Sequence, residues 1–163
     1  MDVATANELR RIFVTFLNER NFRLTKERNA IFEYVCEFVG HFELRQLQNK
    51  LEENVFHVSK STLYTTLDIL INAGILVKHP LTPIPLYELK RMADKHVHLF
   101  CIECCSLTDI SVRSLRVDVR QLKFRKFTAY YHNVYIFGLC SKCAFRLRQE
   151  VESNRLKKRR HEC

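Results

Sequence analysis

Two histidines one residue apart, His96 and His98, precede the first of two Cys-x-x-Cys pairs, Cys101/Cys104 and Cys140/Cys143. A Cys-x-x-Cys turn presents two sulfurs to one ion, and two such turns complete the tetrahedral thiolate shell of a structural zinc. Residues 105–139 separate the pairs, a gap that an intervening helix and strand would span. The competing use of these thiols is as buried or redox-active cysteines. Four thiolates closed around zinc leave no position for water, which argues against a zinc hydrolase.

On a strand, His96 and His98 face the same side with Val97 opposite. Two imidazoles on one face begin a second metal site, which needs carboxylates or another histidine from elsewhere. The candidates are His41, Glu88 and Asp109. Such a site would join two halves of the chain. Its mixed nitrogen and oxygen shell suits iron(II), manganese(II), zinc or cobalt. Without those partners the pair would be ordinary surface or hydrogen-bonded core histidines.

The elements that must position these groups are legible in the hydrophobic spacing. Residues 6–21 repeat Leu9, Ile12, Phe13, Phe16 and Leu17 at helical intervals. Thr25 is a helix N-cap, followed by a stripe of Ile31, Phe32, Val35 and Val39, with Gly40 as the stop. A third helix is predicted over residues 41–54 through Leu44, Leu47 and Leu51. Ser59 caps a fourth, with Leu63, Leu67, Leu70 and Ile71 inward and Gly74 at its end. Residues 75–80 and 85–89 then form a hairpin without a glycine turn. Helices followed by a short hairpin are the pattern of a winged helix-turn-helix, whose fourth helix would turn Lys60, Ser61, Tyr64, Thr65 and Asp68 outward. Lys and Ser hold phosphates, and Tyr reaches a base edge or sugar. Beyond residue 90 the expectation is α/β: strands over 98–104 and 106–110, a helix over 112–124, a strand over 127–140 and a final helix over 141–156 capped by Ser141.

Composition sets the outer bounds. The chain has 163 residues, 47% hydrophobic and 28% charged, which is globular, and no run approaches a membrane span. The N-terminal stretch has no apolar core of signal-peptide type, so a cytoplasmic location is expected. Seven cysteines is an odd number for a disulfide framework. Residues 1–90 hold eleven Lys+Arg and eleven Asp+Glu, and residues 91–163 hold sixteen and seven, so the whole net charge of +9 lies in the second half. It culminates in the run Arg155–Arg160, which suits either nucleic acid or a solvated tail.

The chain resembles the ferric uptake regulator family of metal-responsive bacterial repressors from about Arg23 to Cys143. The resemblance is carried by LTKER, by STLYTTLDILINAGIL, by YELKRMADKHVHLFCIECCSLTDI and by YHNVYIFGLCSKC, in the family's order and at fitting spacing. It implies an α+β molecule: an N-terminal winged-helix DNA-binding domain over 1–90, a C-terminal α/β metal-binding dimerisation domain over 91–154, and a basic tail over 155–163. It implies structural zinc at Cys101, Cys104, Cys140 and Cys143. It also implies a regulatory metal at His41, Glu88, His96, His98 and Asp109, setting the domain angle for DNA binding. Iron(II) is the first expectation for that metal, with manganese(II) or zinc(II) as alternatives. Arg23, Arg28, Ser59, Ser61, Thr62 and Tyr64 would contact operator DNA, together with Lys60. The implied protein is a homodimeric repressor and not an enzyme. Peroxide, zinc, manganese or haem sensing within the family, or a metal-independent DNA-binding module with one structural zinc, are the alternatives. Asp109 favours the peroxide sensors and Glu88 does not. Four features depart from the family pattern. Thr65 replaces an arginine, Pro83 and Pro85 occupy the wing, and Cys105 replaces a glycine. Lys95 and Val97 occupy two ligand positions of a further metal site, leaving His132 as a strand histidine.

Overall fold

The computed structural model describes residues 3–54, 56–93, 96–111, 124–126 and 133–161. The expected helix over 112–124 and His132 lie outside the described residues, apart from Phe124. The element order is α1 Val3–Glu19, α2 Lys26–Glu37, β1 Phe42–Glu43, α3 Leu44–Glu53, α4 Lys60–Asn72, β2 Leu76–His79, β3 Leu86–Leu89, α5 Lys90–Ala93, β4 Val97–Cys101, β5 Leu107–Ile110, β6 Tyr135–Gly138 and α6 Ser141–His161.

The first four helices bury one apolar stripe each in a shared core, as the spacing predicts. Phe13 stacks on Phe32 with ring centroids 4.9 Å apart, and Leu17, Ile31, Leu47, Leu51, Leu63, Leu67 and Leu70 are all buried around them. Two of the three expected N-caps form: Thr25 accepts from the Arg28 N–H, and Ser59 from the Thr62 N–H, whereas Ser141 is the first residue of α6 itself. Thr66 is buried inside α4, where its hydroxyl donates to the Thr62 carbonyl at 2.7 Å and leaves no polar atom stranded. Gly74 follows α4 in the left-handed region, at φ +69°, which a glycine adopts without a Cβ penalty.

Three local expectations are corrected. Ile12 turns outward on α1. Helix α2 ends at Glu37, before Gly40, so Val39 leaves the stripe and is 85% exposed. Residues 42 and 43 are a strand rather than the start of α3, because their backbone pairs with β3 (Phe42 with Tyr87, Glu43 with Leu86). A two-residue strand carries too little periodicity to stand out from an adjoining helix.

The hairpin β2–β3 is antiparallel and, with β1, forms a sheet in the order β1-β3-β2. Thr82 shapes its proline-bearing tip by donating to the Ile84 carbonyl at 2.6 Å. The second sheet has the order β5-β4-β6, with β4 antiparallel to β5 and parallel to β6. Helix α6 runs as far as His161, so the basic run Arg155–Arg160 lies within it.

Candidate metal centres

The tight turn after β4 and the end of β6 bring the four paired cysteines together. The four sulfurs lie within 4.8 Å of one another, and Cys104 Sγ is 3.8 Å from Cys140 Sγ. That is about the edge of a tetrahedron with ~2.3 Å zinc–sulfur bonds. The backbone prepares the site: the Cys140 N–H donates to Cys101 Sγ at 3.3 Å, and the Cys105 N–H closes the turn onto the Cys101 carbonyl at 2.9 Å. Amides of Cys140 and then Cys104 pointing at its sulfur bring the Cys101 thiol down to about 6, so the thiolate is accessible at neutral pH. Hydrogen bonds from Ser106 lower Cys104 as well. Cys143 is pushed up to about 12, first by sharing a hydrogen bond with Cys140. A cation is what allows four such thiols to be thiolate together. Cys105 stands outside the group, half-buried, in the left-handed region at φ +56°.

A second cluster forms where the two sheets meet. His41 precedes β1, Glu88 lies on β3, His96 immediately precedes β4, His98 lies on β4, and Asp109 lies on β5 opposite His98. All five residues expected from the sequence converge. Glu88 Oε2 is 3.3 Å from His41 Nε2 and 3.3 Å from His96 Nε2. Asp109 reaches His41 Nδ1 at 3.3 Å, His96 Nε2 at 3.5 Å and His98 Nδ1 at 3.0 Å. Glu88 is 1% exposed and His98 fully buried.

These contacts leave the polar groups unsatisfied. Both Glu88 oxygens and the Nε2 atoms of His41, His96 and His98 are buried without a hydrogen-bond partner. Buried polar atoms are ordinarily paired, so lone pairs converging unpaired fit a cation. Burial lowers His41 below the ordinary imidazole value of 6.5, against the pull of Glu88 and Asp109. Burial also lowers His98, opposed by its hydrogen bond to Asp109. Neutral imidazoles at pH 7 are the ligating form.

The sequence reading missed a sixth member. His79, the last residue of β2, is fully buried with its Nε2 3.5 Å from Glu88 Oε2. It groups with His41, Glu88 and His98 as those three group with one another. The period-two alternation of the hairpin could have revealed it. Val77 pairs with Glu88, so His79, two residues on, shares that face.

On α4, Lys60, Ser61, Tyr64, Thr65 and Asp68 are all exposed, as the spacing predicts, and Tyr64 is 52% exposed. The hydroxyls of Ser59 and Thr62 lie 2.9 Å apart within the cap. Arg23 is exposed, whereas Arg28 donates to the Arg23 carbonyl at 2.6 Å and sits 5.5 Å from the Phe22 ring.

The ferric uptake regulator family profile matches residues 19–137. The ferric uptake regulation protein of Neisseria meningitidis serogroup A is 32% identical over 132 residues, covering 78% of this chain and 90% of that protein. The peroxide operon regulator of Bacillus subtilis is 28% identical over 141 residues, covering 85% and 95%. Among solved structures, the Helicobacter pylori ferric uptake regulator, described as having three functional metal binding sites, superposes with a TM-score of 0.62 at 14% identity, covering 85% of this chain and 93% of that one. The Pseudomonas aeruginosa regulator with manganese superposes at 0.59 and 19% identity, covering 77% and 95%. With its two-sheet α+β fold and a profile match across most of its length, the chain belongs to the ferric uptake regulator family.

Proposed function

We propose that this protein is a DNA-binding repressor switched by a divalent metal, iron(II) first and manganese(II) or zinc(II) as alternatives, that controls metal homeostasis. The observation that carries the reading is the cluster of His41, Glu88, His96, His98 and Asp109 between the two sheets, in which both Glu88 oxygens and the Nε2 atoms of the three histidines are buried without a hydrogen-bond partner. A bound divalent cation supplies the positive charge that two converging carboxylates need and joins β3 of one sheet to β4 and β5 of the other. His41 and Glu88 come from the winged-helix unit, and His96, His98 and Asp109 from the other. The arrangement in which all five converge binds metal best, so metal shifts the population toward it and fixes the angle of α4.

The remaining assignments follow from that frame. Residues 1–90 form the DNA-binding domain, 91–154 the metal-binding dimerisation domain and 155–163 the basic end. Cys101, Cys104, Cys140 and Cys143 hold a structural zinc. Arg23, Arg28, Ser59, Lys60, Ser61, Thr62 and Tyr64 serve duplex DNA: Lys60 and Arg23 as phosphate contacts, Tyr64 toward a base or sugar, Ser59 and Arg28 by holding the helix and the preceding loop. Exposed Phe137, Phe145, Leu147 and Val151 on β6 and α6 support a homodimer through this region. The protein acts in the cytoplasm, and no described helix is long and apolar enough to cross a membrane.

The test is DNA binding by the full zinc-loaded chain, at fixed salt, to duplexes selected from a random pool with manganese(II) present. Metal is expected to raise affinity. His96→Ala/His98→Ala should abolish that rise while zinc content and circular dichroism persist. Equal affinity with and without metal would sink the switch and leave a constitutive DNA-binding module. The kinship with a peroxide operon regulator, together with Asp109, favours one second reading: hydrogen peroxide should then release DNA from the iron(II)-loaded but not the manganese(II)-loaded protein.

A further inference from the structure

We propose that His79 is a sixth ligand of the regulatory metal and that Tyr135 is the positioning residue that holds it. The proposal rests on the metal-site reading above and adds a nitrogen donor to it. His79 is 0% exposed, so its two ring nitrogens must find partners inside the protein. One does: Nδ1 lies 2.7 Å from the Tyr135 hydroxyl. The other does not: Nε2 is buried without a hydrogen-bond partner and faces Glu88 Oε2 at 3.5 Å. It belongs to a compact group with His41, Glu88 and His98 whose ligand atoms all lie within 4.8 Å.

This is the arrangement of a metal-ligating histidine. The outer nitrogen is tied to a hydrogen-bonding group, which sets the tautomer and aims the inner lone pair. When the Tyr135 oxygen accepts from Nδ1–H, Nε2 is left with its lone pair free. The Asn133 amide nitrogen lies 3.5 Å from the same oxygen. A hydrophobic side chain of similar size would fill the space beside Val77 without stranding a nitrogen, so packing alone does not account for an imidazole here.

The two residues come from opposite units. His79 ends β2 of the first sheet, while Tyr135 opens β6 of the second, paired with His98. The His79–Tyr135 hydrogen bond therefore couples the ligand set to the strand that leads directly to Cys140. The group that holds His79 has three imidazoles, His41, His79 and His98, and one carboxylate, Glu88, a nitrogen-rich set that favours metals late in the divalent series over manganese(II).

Cobalt(II) is the probe, read by its visible absorption bands in an anaerobic titration of full-length protein with the four-cysteine site filled by zinc. Wild type, His79→Gln, Tyr135→Phe and His98→Gln are compared, with zinc content and circular dichroism as folding checks. His79→Gln is expected to move the cobalt bands and to weaken cobalt binding more than Tyr135→Phe does. Tyr135→Phe, which removes one oxygen, should weaken it by about 10–100-fold, the usual effect of losing a ligand's supporting hydrogen bond. It serves as the test by itself if His79→Gln does not fold. Unchanged bands and affinity in both variants, with uptake abolished by His98→Gln, would overturn the role of His79 and leave the five-residue site standing. No second cobalt in wild type would overturn both.

Discussion

Cys105 is held in a backbone region that side chains avoid. Its φ of +56° places Cβ against the neighbouring carbonyl, at a cost of about 1–2 kcal/mol that glycine does not incur. The turn needs that conformation because the Cys105 N–H closes onto the Cys101 carbonyl, which wraps the Cys-x-x-Cys loop. Its sulfur lies outside the four-cysteine group. Cys105→Gly should therefore leave zinc content unchanged and raise stability by up to about 1 kcal/mol, after the extra chain entropy of glycine is allowed for. A urea midpoint that falls instead would show that the thiol contributes packing the backbone geometry does not reveal.

Helix α4 illustrates how one residue serves an element and its surface together. Ser59 accepts from the Thr62 N–H at 3.1 Å, and no acidic side chain lies in the first turn. Ser59→Ala should cost about 1 kcal/mol through the lost cap. Ser59→Asp keeps the cap and adds a charge that suits the helix N-terminus, so thermal stability should return to the wild-type level. On the proposed DNA face that same carboxylate opposes phosphate, so operator affinity at fixed salt should fall in Ser59→Asp although the helix is intact. Affinity that follows stability in both variants would remove the N-terminus of α4 from the DNA interface.

At the scale of the molecule, the cluster between the sheets makes folding and metal binding depend on pH in one direction. His41 and His98 lie below their ordinary value in the folded protein because they are buried. Around and just below pH 6.5 the unfolded chain thus binds more protons than the folded one, and stability rises with pH. Their contribution is complete above 6.5 and is lost as pH falls through the lower folded values. Protonation also removes the lone pairs that ligate metal. The zinc-loaded protein without the second metal should show a lower urea midpoint at about pH 5.5 than at about pH 7.5. Added manganese(II) should widen that difference, because ligand stabilises only the state that binds it. A midpoint independent of pH would mean that the histidines are already paired within the fold.

Local spacing determined the four-helix core, the caps at Thr25 and Ser59, the outward face of α4 and the four-cysteine group, because each depends on neighbours a few residues apart or on a motif with one geometric use. The histidine pair's need for carboxylates or a further imidazole named His41, Glu88 and Asp109, and the family resemblance implied the same residues, but as candidates drawn from three separate segments. Only the tertiary structure brought them together, since the meeting of two sheets is set by packing across the whole chain. His79 shows the limit most clearly. Next to a proline in a strand of four residues it reads as a hairpin end, and its burial against Glu88 and Tyr135 follows from strand register and from a sheet more than fifty residues away. The strand at residues 42 and 43 was hidden for the same reason: pairing with β3 overrode the local pattern.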